Sequence, residues 1–500
     1  MNETETLEKA DADTGEYFDV LIIGAGISGV GSAYHLQTQC PGKSYVILET
    51  KDTFGGTWVT HTYPGIRSDS DLYTFGYRFK PWVGAPIASA EEILKYMGEV
   101  IEENALDEHI RYRHRIDRAE WSSTEKLWRV DATDFDTGET KRFSTSFLWA
   151  CQGYYHHEQG YTPDWPGMED FQGQIVHPQT WPEDIDLSGK KVVCIGSGAT
   201  AATLVPAIAD ECEHVTLLQR SPTYFYPASN QNELADRLRQ IGIEEETVHR
   251  IVRQQILFDQ DELTRRCQTE PDAVRQELLE GVKAYLGEDY PIEEHFGPTY
   301  RPWQQRLAFL PDGDMFQGIA AGKASVVTDT IECFTETGIQ LTSGQHLDAD
   351  IIITATGFNL SVLGNIDFAV DGKPVDFADT VTWRGMMFTG VPNLVWVFGY
   401  FRASWTLRVD MLGDFVCRLL NHMDAKGARQ VEVALSPEEE TMERLPWGDP
   451  DDFNPGYLMR RMHLLPKRLD KYEWQHTQDY WREKDEFPKI DLDGPALKYS

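Results

Sequence analysis

Three glycines near the start of the chain have the spacing of a dinucleotide-binding turn. Gly24, Gly26 and Gly29 follow the apolar run YFDVLII and precede a helix-like stretch. This spacing allows a tight turn, close approach of a pyrophosphate to backbone N–H groups, and packing of the helix on the strand. Ser28, within the same turn, belongs to the expected site. About 20 residues later, Glu49 ends a second apolar run and offers a carboxylate to an adenosine ribose.

A second glycine-rich turn lies further along the chain. Gly196 and Gly198 follow the apolar run KVVCI, and Ala201 replaces the third glycine, as the fingerprint allows. The next strand-like run ends at Arg220 instead of an acid. An acid would repel a 2′-phosphate and a guanidinium would bind it, so NADPH is predicted over NADH. The alternative is that Arg220 is only a solvated strand end. The residues expected to bind this nucleotide are Gly196, Ser197, Gly198, Ala199, Thr200, Ala201, Arg220 and Ser221.

Two such turns in one chain predict FAD and NADPH facing each other, with hydride passing from the nicotinamide to the flavin. A disulfide reductase would need a CxxxxC pair beside the flavin, and the sequence has none. The remaining chemistry is activation of O2. An anionic oxygen adduct needs a fixed positive charge in a water-poor site. Arg306 is the expected cation, because Pro302 and Trp303 could hold it in an ordered loop. Arg306 could instead be a structural ion-pair residue.

Two longer motifs connect these features to a known family. Residues 171–182, FQGQIVHPQTWP, lie between the two turns and read FxGxxxHxxxWP, and residues 55–69 read GGxWxxxxYPGxxxD. On these motifs the chain resembles Baeyer-Villiger monooxygenases. The stretches GSGATA, LQRSPTY and HFGPTY make it similar to their ethionamide-activating subclass. The resemblance covers about residues 18–464 and departs at Arg402, where a smaller neutral residue is expected.

The resemblance also implies roles for individual residues. The backbone of Ile116 is expected to meet the adenine, and Asp69 to orient both the catalytic arginine and the nicotinamide amide. The ethionamide-activating subclass has its arginine in a stretch similar to the one that contains Arg306. The cyclohexanone-type branch supplies one from a loop near Lys323, so the resemblance makes Lys323 the alternative cation. The residues implied to lie along the flavin or at its reactive face are Thr57, Trp58, Arg67, Ser68 and Asp69.

The FxGxxxHxxxWP segment is interpreted as a joint between two domains. Its motif residues are expected to act at a hinge and not as catalysts. A plain alternative is that its histidine and tryptophan, four positions apart, form a stacked pair on a helix. The hinge residues are Phe171, Gly173, His177 and Trp181.

The predicted fold is α/β, with two Rossmann-like dinucleotide-binding domains, one for FAD and one for NADP, and a helical insertion in the NADP domain. Charged, helically periodic sequence indicates the insertion. Arg460 and Arg461 are interpreted as part of a solvated face. The expected boundaries are a disordered lead over 1–15, an FAD domain over 16–153 and 358–500, an NADP domain over 154–222 and 314–357, and the insertion over 223–313.

Composition limits the possible partners and compartment. The 500 residues have a formal net charge of -35, which disfavours nucleic acids and anionic membranes. No apolar run of about 18 residues is present, so no membrane span is predicted. The seven cysteines lack CxxC or zinc-like spacing, which favours a reduced, cytoplasmic protein without a metal.

Together these features predict an NADPH-dependent flavin monooxygenase. It would use a C4a-peroxyflavin to insert one atom of O2 next to a ketone carbonyl, giving an ester or lactone, and would also oxidise thioethers. The alternative is a flavin-containing S/N-monooxygenase without ketone activity, whose motif usually ends in an aromatic-basic pair instead of Trp181-Pro182. A nucleotide-binding protein without turnover is disfavoured by Glu49, Asp69 and Arg220.

Overall fold

The computed structural model describes residues 15–500, so residues 1–14 of the predicted disordered lead lie outside the described residues. Short 3-10 turns connect several of the regular elements. The α-helices are Ile27–Gln39, Thr57–Thr60, Leu72–Phe75, Ala90–Glu103, Ala199–Ile208, Glu233–Gln240, Glu245–Thr269, Pro271–Leu286, Ile292–Phe296, Asp314–Ala320, Trp405–Lys426, Gly456–Arg461 and Tyr480–Glu486.

The first sheet is mixed. The strand Glu16–Ile23 runs parallel to both of its neighbours, and its residues Val20, Leu21 and Ile22 are fully buried. Burial on both faces explains why this strand is a continuous apolar run. Across the sheet the order is Lys373–Pro374, Asp367–Val370, His114–Ser122, Leu127–Asp134, Thr140–Ala150, Glu16–Ile23, Tyr45–Leu48 and Ile110–Arg111, with Leu394–Trp396 pairing with Thr140–Ala150.

The second sheet is parallel throughout. The helices Ala199–Ile208 and Asp314–Ala320 cover one face, and an antiparallel unit of Ile331–Thr335, Gly338–Leu341 and His346–Asp348 covers the other. Each sheet therefore has its own core. The strand order is Ala324–Thr328, His214–Gln219, Lys191–Ile195, Ile351–Thr354 and Gln174–Val176.

Each glycine-rich turn connects a buried parallel strand to a helix. Glu16–Ile23 leads into Ile27–Gln39, and Lys191–Ile195 leads into Ala199–Ile208. This is the strand-turn-helix context that the fingerprint requires. The predicted α/β fold with two dinucleotide-binding units is confirmed.

The chain passes between the two sheets through a pair of antiparallel strands, Tyr155–Gly160 and Phe358–Leu360. One carries the chain from the first sheet to the second, and the other brings it back. The two crossings therefore lie side by side. The remaining strand pairs are Phe225–Ala228 with Ala308–Pro311, Thr382–Trp383 with Met387–Phe388, and Val431–Val433 with Leu497–Tyr499.

Helices from Glu233 to Phe296 are inserted between two strands of the second sheet, as the helical periodicity predicts. The long helix Glu245–Thr269 also reaches the first half of the molecule. There Arg253 Nη1 donates to the carbonyl oxygens of Tyr73 at 2.8 Å and Gly76 at 2.9 Å. The insertion thus contacts both halves. No helix among residues 15–500 is both long and apolar enough to cross a membrane.

Candidate active site

A cleft of about 1330 Å³ runs between the two sheets and is lined by both glycine-rich turns. Most of the residues expected to bind a nucleotide line it. Three do not, namely Gly29, Ser68 and Ala201. The expected site residues that line the cleft are Gly24, Gly26, Ser28, Glu49, Thr57, Trp58, Arg67, Asp69, Ile116, Gly196, Ser197, Gly198, Ala199, Thr200, Arg220, Ser221 and Arg306.

The first turn has the form of a phosphate cradle. Gly24 has a φ of +92°, and a Cβ on Gly29 would lie 1.8 Å from the Gly24 carbonyl oxygen, so both positions require glycine. The helix Ile27–Gln39 has no side-chain cap at its N-terminus. Its first amide groups can therefore donate to a pyrophosphate. Although Gly29 does not line the cleft, it permits the close packing on which the turn depends.

Glu49 lies at the end of the strand Tyr45–Leu48, beside the first turn. Its Oε2 accepts from the Ala25 N–H at 2.7 Å, and its Oε1 accepts from the Lys51 N–H at 2.9 Å. Burial raises the pKa of the Glu49 carboxyl, and these backbone donors oppose that rise. Each oxygen keeps a lone pair, which fits the ribose hydroxyls of FAD.

The second turn repeats this arrangement. Gly196 has a φ of +118°, and a Cβ there would lie 2.3 Å from the Ala355 carbonyl oxygen. A Cβ on Gly198 would meet nothing within 4 Å, so this position opens onto the cleft. The helix Ala199–Ile208 also has no side-chain cap. Its free amide groups fit the pyrophosphate of NADPH.

Arg460 is a cleft residue that sequence reasoning missed. Arg460 is exposed, as its interpretation as part of a solvated face expects, but it also lines the cleft, and its guanidinium stacks on the Tyr161 ring at 3.6 Å. Burial lowers its pKa, Tyr161 opposes that change, and the positive charges of Arg461 and then Arg220 add to it. The two arginines are thus electrostatic neighbours. No local signal marks Arg460, because only the return of the C-terminal third of the chain brings it to Arg220.

Arg306 and Asp69 form an ion pair inside the cleft. Arg306 Nη2 lies 2.8 Å from Asp69 Oδ2, and each side chain keeps about a third of its surface exposed (33% and 31%). The pKa of Arg306 is raised, first by the negative charge of Asp69. Arg306 is therefore a permanent cation that still has access to a cleft-bound molecule.

Tyrosines surround this ion pair. Tyr154 and Tyr155 share a hydrogen bond of 2.8 Å between their hydroxyls, and the Tyr457 hydroxyl is buried without a hydrogen-bond partner among the described residues. Burial raises the pKa of all three well above the usual value. They remain neutral phenols that can donate hydrogen bonds. The first two end the run that the sequence assigned to the closing strand, whereas nothing in the sequence singles out Tyr457.

Lys323, the alternative cation, lies elsewhere. It does not line the cleft, its side chain is half exposed, and it forms an ion pair with Asp210. Of the two candidate cations, the structure brings only Arg306 together with Asp69.

Arg67 and Ser68 differ from the expectation that both lie at the flavin's reactive face. Arg67 does line the cleft, but its Nη1 lies 2.5 Å from Asp314 Oδ2. Ser68 is buried, and its hydroxyl accepts from the Ala88 N–H at 3.3 Å. Successive side chains of an extended loop point in different directions, so the Ser68 side chain lies away from the cleft that Arg67 and Asp69 line.

His61, inside the GGxWxxxxYPGxxxD motif, is a second cleft residue that sequence reasoning missed. Its ring packs against Phe358, with centroids 5.1 Å apart, and its Nδ1 has no partner among the described residues. Burial lowers its pKa to about 4, with a smaller contribution from His157. His61 is therefore neutral at physiological pH. The sequence did contain a signal for His61, because this histidine lies within a recognised motif.

The four joint residues lie outside the cleft lining, near the strand crossings. His177 Nε2 lies 3.2 Å from the Gly357 carbonyl oxygen, and a Cβ on Gly160 would lie 1.9 Å from its ring. His177 thus packs on both crossing strands. Phe171 is buried between the second sheet and its antiparallel unit, and Trp181 packs against the core on the opposite, helix-covered face of that sheet. A Cβ on Gly173 would lie 2.2 Å from the Asp350 carbonyl oxygen.

Only the short 3-10 turn Pro178–Thr180 separates His177 from Trp181, so the stacked helical pair considered from the sequence does not form. The hinge role of the joint stays a prediction.

A fold with two nucleotide sites facing one cleft, and an arginine-carboxylate pair between them, defines a flavin- and NADP-dependent oxidoreductase. Two family models match the chain. One, an NAD(P)-binding Rossmann-like domain, covers residues 22–82, and the other, flavin-binding monooxygenase-like, covers residues 86–234.

Relatives match almost the whole chain. The FAD-containing monooxygenase EthA of Mycolicibacterium smegmatis is 47% identical over 93% of this chain and 94% of its own length. The probable FAD-binding monooxygenase AlmA of Acinetobacter baylyi is 41% identical over 97% of this chain and 96% of its own length. The chain belongs to the family of FAD-containing monooxygenases, and the recognition made from its motifs is confirmed. Its cofactors are FAD and NADPH.

Solved structures share the fold. A steroid monooxygenase bound to NADP superposes with a TM-score of 0.75 at 22% identity, over 97% of this chain and 99% of that chain. A cyclohexanone monooxygenase in an open form gives a TM-score of 0.72 at 18% identity, over 97% of this chain and 100% of that one. At these identities the likeness concerns the architecture.

Proposed function

We propose that this monooxygenase carries out Baeyer-Villiger oxidation, inserting one atom of O2 next to a ketone carbonyl to give an ester or lactone. The observation that carries the proposal is the Arg306-Asp69 ion pair, 2.8 Å long, in a cleft lined by both glycine-rich turns. Flavin monooxygenation in general does not need such a cation, whereas attack of an anionic oxygen on a carbonyl carbon does.

When bound, FAD that has been reduced by NADPH supplies the activation of O2. Arg306 places a fixed positive charge where negative charge develops on the transferred oxygen and then on the former carbonyl oxygen. Coulomb stabilisation is strongest in a water-poor site, and we expect the bound nucleotides and the surrounding tyrosine rings to exclude water from the pair. Asp69 holds the guanidinium in place, and its charge keeps the pKa of Arg306 high. We assign Arg306 as the catalytic cation and Asp69 as the residue that orients it.

Thioether oxidation is the second proposed activity. It requires a protonated oxygen donor, and the buried tyrosines beside Arg306 are neutral phenols that can supply a hydrogen bond. The buried hydroxyl of Tyr457, close to those of Tyr154 and Tyr155, favours this activity. A cleft with both a cation and a phenol donor suits both chemistries.

Two further assignments accompany this proposal. Arg220, aided by Arg460, is proposed to bind the 2′-phosphate of NADPH, because both line the cleft as cations.

A cytoplasmic location is proposed because all seven cysteines are free thiols, as a reducing compartment keeps them.

Product analysis with 18O2 tests the proposal directly. FAD-loaded protein and NADPH are incubated with 2-octanone, cyclohexanone and methyl phenyl sulfide, and the products are identified by mass spectrometry. An ester or lactone carrying one 18O supports Baeyer-Villiger chemistry. Formation of sulfoxide without any ester would support only the thioether activity. Consumption of NADPH with only peroxide as product would contradict both.

The Arg306→Met variant tests the assigned cation. Loss of a preorganised group that stabilises transition-state charge lowers kcat by about 100- to 1000-fold, so ester formation should fall by that order. Reduction of the flavin by NADPH should stay close to the normal rate. Lys323→Met is the matched control and should keep full ester formation. A normal ester yield from Arg306→Met would remove this residue from the role.

A further inference from the structure

The loop that carries Arg306 is held on one side by the helical insertion and on the other by Arg402 and the C-terminal segment. On one side Tyr300, Trp303 and Leu307 pack against the helical insertion and its surroundings. Within the loop, Trp303 has a φ of +61°, a left-handed conformation that a bulky residue adopts only when its surroundings impose it. The conformation that presents Arg306 to the cleft therefore needs support from outside the loop.

Arg402 supplies contacts to this strained residue. Its Nε and Nη2 both donate to the Trp303 carbonyl oxygen, at 3.3 and 3.2 Å. Its Nη1 pairs with Asp452 Oδ2 at 2.8 Å, and its Nη2 also donates to the Asp452 carbonyl oxygen at 2.8 Å. Arg402 itself is 8% exposed. A single guanidinium thus bridges the Arg306 loop and the C-terminal segment.

The same C-terminal segment makes further bonds to the loop. Arg301 Nη2 donates to Asp452 Oδ1 and to its carbonyl oxygen, each at 2.8 Å, so two arginines hold one carboxylate. The Asn454 N–H donates to the Gln304 carbonyl oxygen at 2.8 Å. These bonds fix the backbone on both sides of Trp303.

The position of Arg402 connects this network to the first sheet. It lies in the turn between the strand Leu394–Trp396 and the helix Trp405–Lys426, and the neighbouring Ala403 and Trp405 line the cleft. Trp405 Nε1 donates to the hydroxyl of Ser28 in the first glycine-rich turn at 2.8 Å. The turn therefore has a fixed position relative to the FAD site.

If Arg402 only stabilised the fold, its ion pair with Asp452 would be sufficient. The bonds to the Trp303 carbonyl oxygen go further, because they fix the backbone three residues before Arg306. Two donors on one acceptor define its direction as well as its distance, which the planar guanidinium can do and a single ammonium cannot.

We propose that Arg402 is a positioning residue that sets the Arg306 loop relative to the FAD site. It touches neither the ion pair nor the expected substrate position, and it acts through the Trp303 carbonyl. The catalytic part of this proposal rests on the proposed function, whereas the structural part, control of the loop backbone, stands independently. The resemblance led us to expect a smaller neutral residue at this position, and the proposal gives the arginine a role.

Hydrogen exchange on the full-length, FAD-loaded protein tests the structural part. Amides in residues 300–307 should exchange faster in Arg402→Met than in the wild type, while the rest of the chain stays unchanged. Arg402→Lys should give an intermediate rate, since one ammonium can replace only part of the contacts. Arg250→Met, an exposed arginine without an ion pair among the described residues, is the control. Unchanged exchange in residues 300–307 would overturn the proposal.

The catalytic part is tested with 2-octanone. Displacement of a reacting group by about 1 Å can cost about 100-fold, so Arg402→Met should form ester on the order of 10- to 100-fold more slowly. Its flavin should still be reduced by NADPH at the wild-type rate, and the uncoupled NADPH should appear as peroxide. Asp452→Asn keeps the shape of the side chain and should likewise speed exchange in residues 300–307 and slow ester formation. This variant replaces Arg402→Met in the test if Arg402→Met does not fold.

The two proposals fail in different ways. If the wild type forms no ester from any ketone, the proposed function fails, and exchange in residues 300–307 still decides the role of Arg402. If the wild type forms ester and both variants form it at the same rate, Arg402 does not position Arg306.

Discussion

Arg67 and Asp314 form an ion pair between the two halves of the molecule, with Arg67 Nη1 2.5 Å from Asp314 Oδ2. Arg67 belongs to the loop that also carries Asp69, whereas Asp314 begins a helix that packs on the second sheet. Close packing supports the pair, since a Cβ on Gly65 would lie 2.5 Å from Ala207 Cβ. The loop that carries Asp69 is thus attached to the NADP side of the cleft.

The Asp314→Asn variant tests this attachment. A partly exposed ion pair contributes up to about 1 kcal/mol, equivalent to about a fivefold change in an equilibrium constant. The KM for NADPH should rise by that factor, because the nucleotide would meet a less ordered cleft, and FAD content should not change. Steady-state kinetics and the absorbance of bound flavin measure these two quantities. Asp210→Asn, which breaks a surface pair with Lys323, should leave both unchanged.

The Asp69→Asn variant separates the charge of Asp69 from its shape. A hydrogen bond to a charged group contributes about 1.5–3 kcal/mol, so ester formation from 2-octanone should fall by roughly 10- to 150-fold. Flavin reduction by NADPH should slow as well, since Asp69 is also expected to orient the nicotinamide amide. Stopped-flow reduction and product analysis give the two rates. Ser70→Ala, which removes only a 3.3 Å hydrogen bond to Asp69, is the control. Full ester formation by Asp69→Asn would end its assigned role.

Arg220→Gln and Arg460→Gln test the proposed 2′-phosphate site. Loss of one charge-assisted contact should raise the KM for NADPH about 10-fold in each variant, and the KM for NADH should stay the same. The preference for NADPH over NADH would then become smaller. Arg461→Gln, an exposed neighbour outside the cleft lining, is the matched control. If Arg460→Gln keeps the full preference, Arg220 alone or another residue binds the phosphate.

The sequence predicted the features that are encoded locally. Each glycine-rich turn needs glycine for reasons confined to a few residues, such as the φ of +92° at Gly24 and of +118° at Gly196. The carboxylate of Glu49 follows from the length of one strand-helix-strand unit. These features repeat wherever the unit occurs, so spacing alone identifies them.

Features that depend on distant segments could not be predicted in this way. Tyr457 and Arg460 reach the cleft only because the C-terminal third of the chain returns to the first sheet. The contact of Arg402 with Trp303 joins two loops that no local pattern connects. The Ser68 side chain also depends on a distant segment, because its hydroxyl accepts from the Ala88 N–H, and its place at the flavin stays a prediction.

The last prediction concerns pH and His61. Burial lowers the pKa of this histidine from 6.5 to about 4 in the folded protein. Between these two pH values the unfolded chain binds a proton at this position and the folded chain does not. The contribution of His61 to stability is therefore complete above about pH 6.5 and is lost as the pH falls towards 4.

The His61→Gln variant, which cannot titrate, should lose less stability on acidification. At 1.36 kcal/mol per pKa unit, the shift corresponds to about 3 kcal/mol, most of which is lost by pH 4.5. Urea unfolding of the FAD-loaded proteins at pH 7.5 and pH 4.5 measures the loss for each. The wild type should lose about 2 kcal/mol more than His61→Gln, because other groups titrate equally in both. Equal losses of unfolding free energy would mean that the folded protein binds a proton at His61 as readily as the unfolded chain does. That result would contradict the burial of His61 against Phe358.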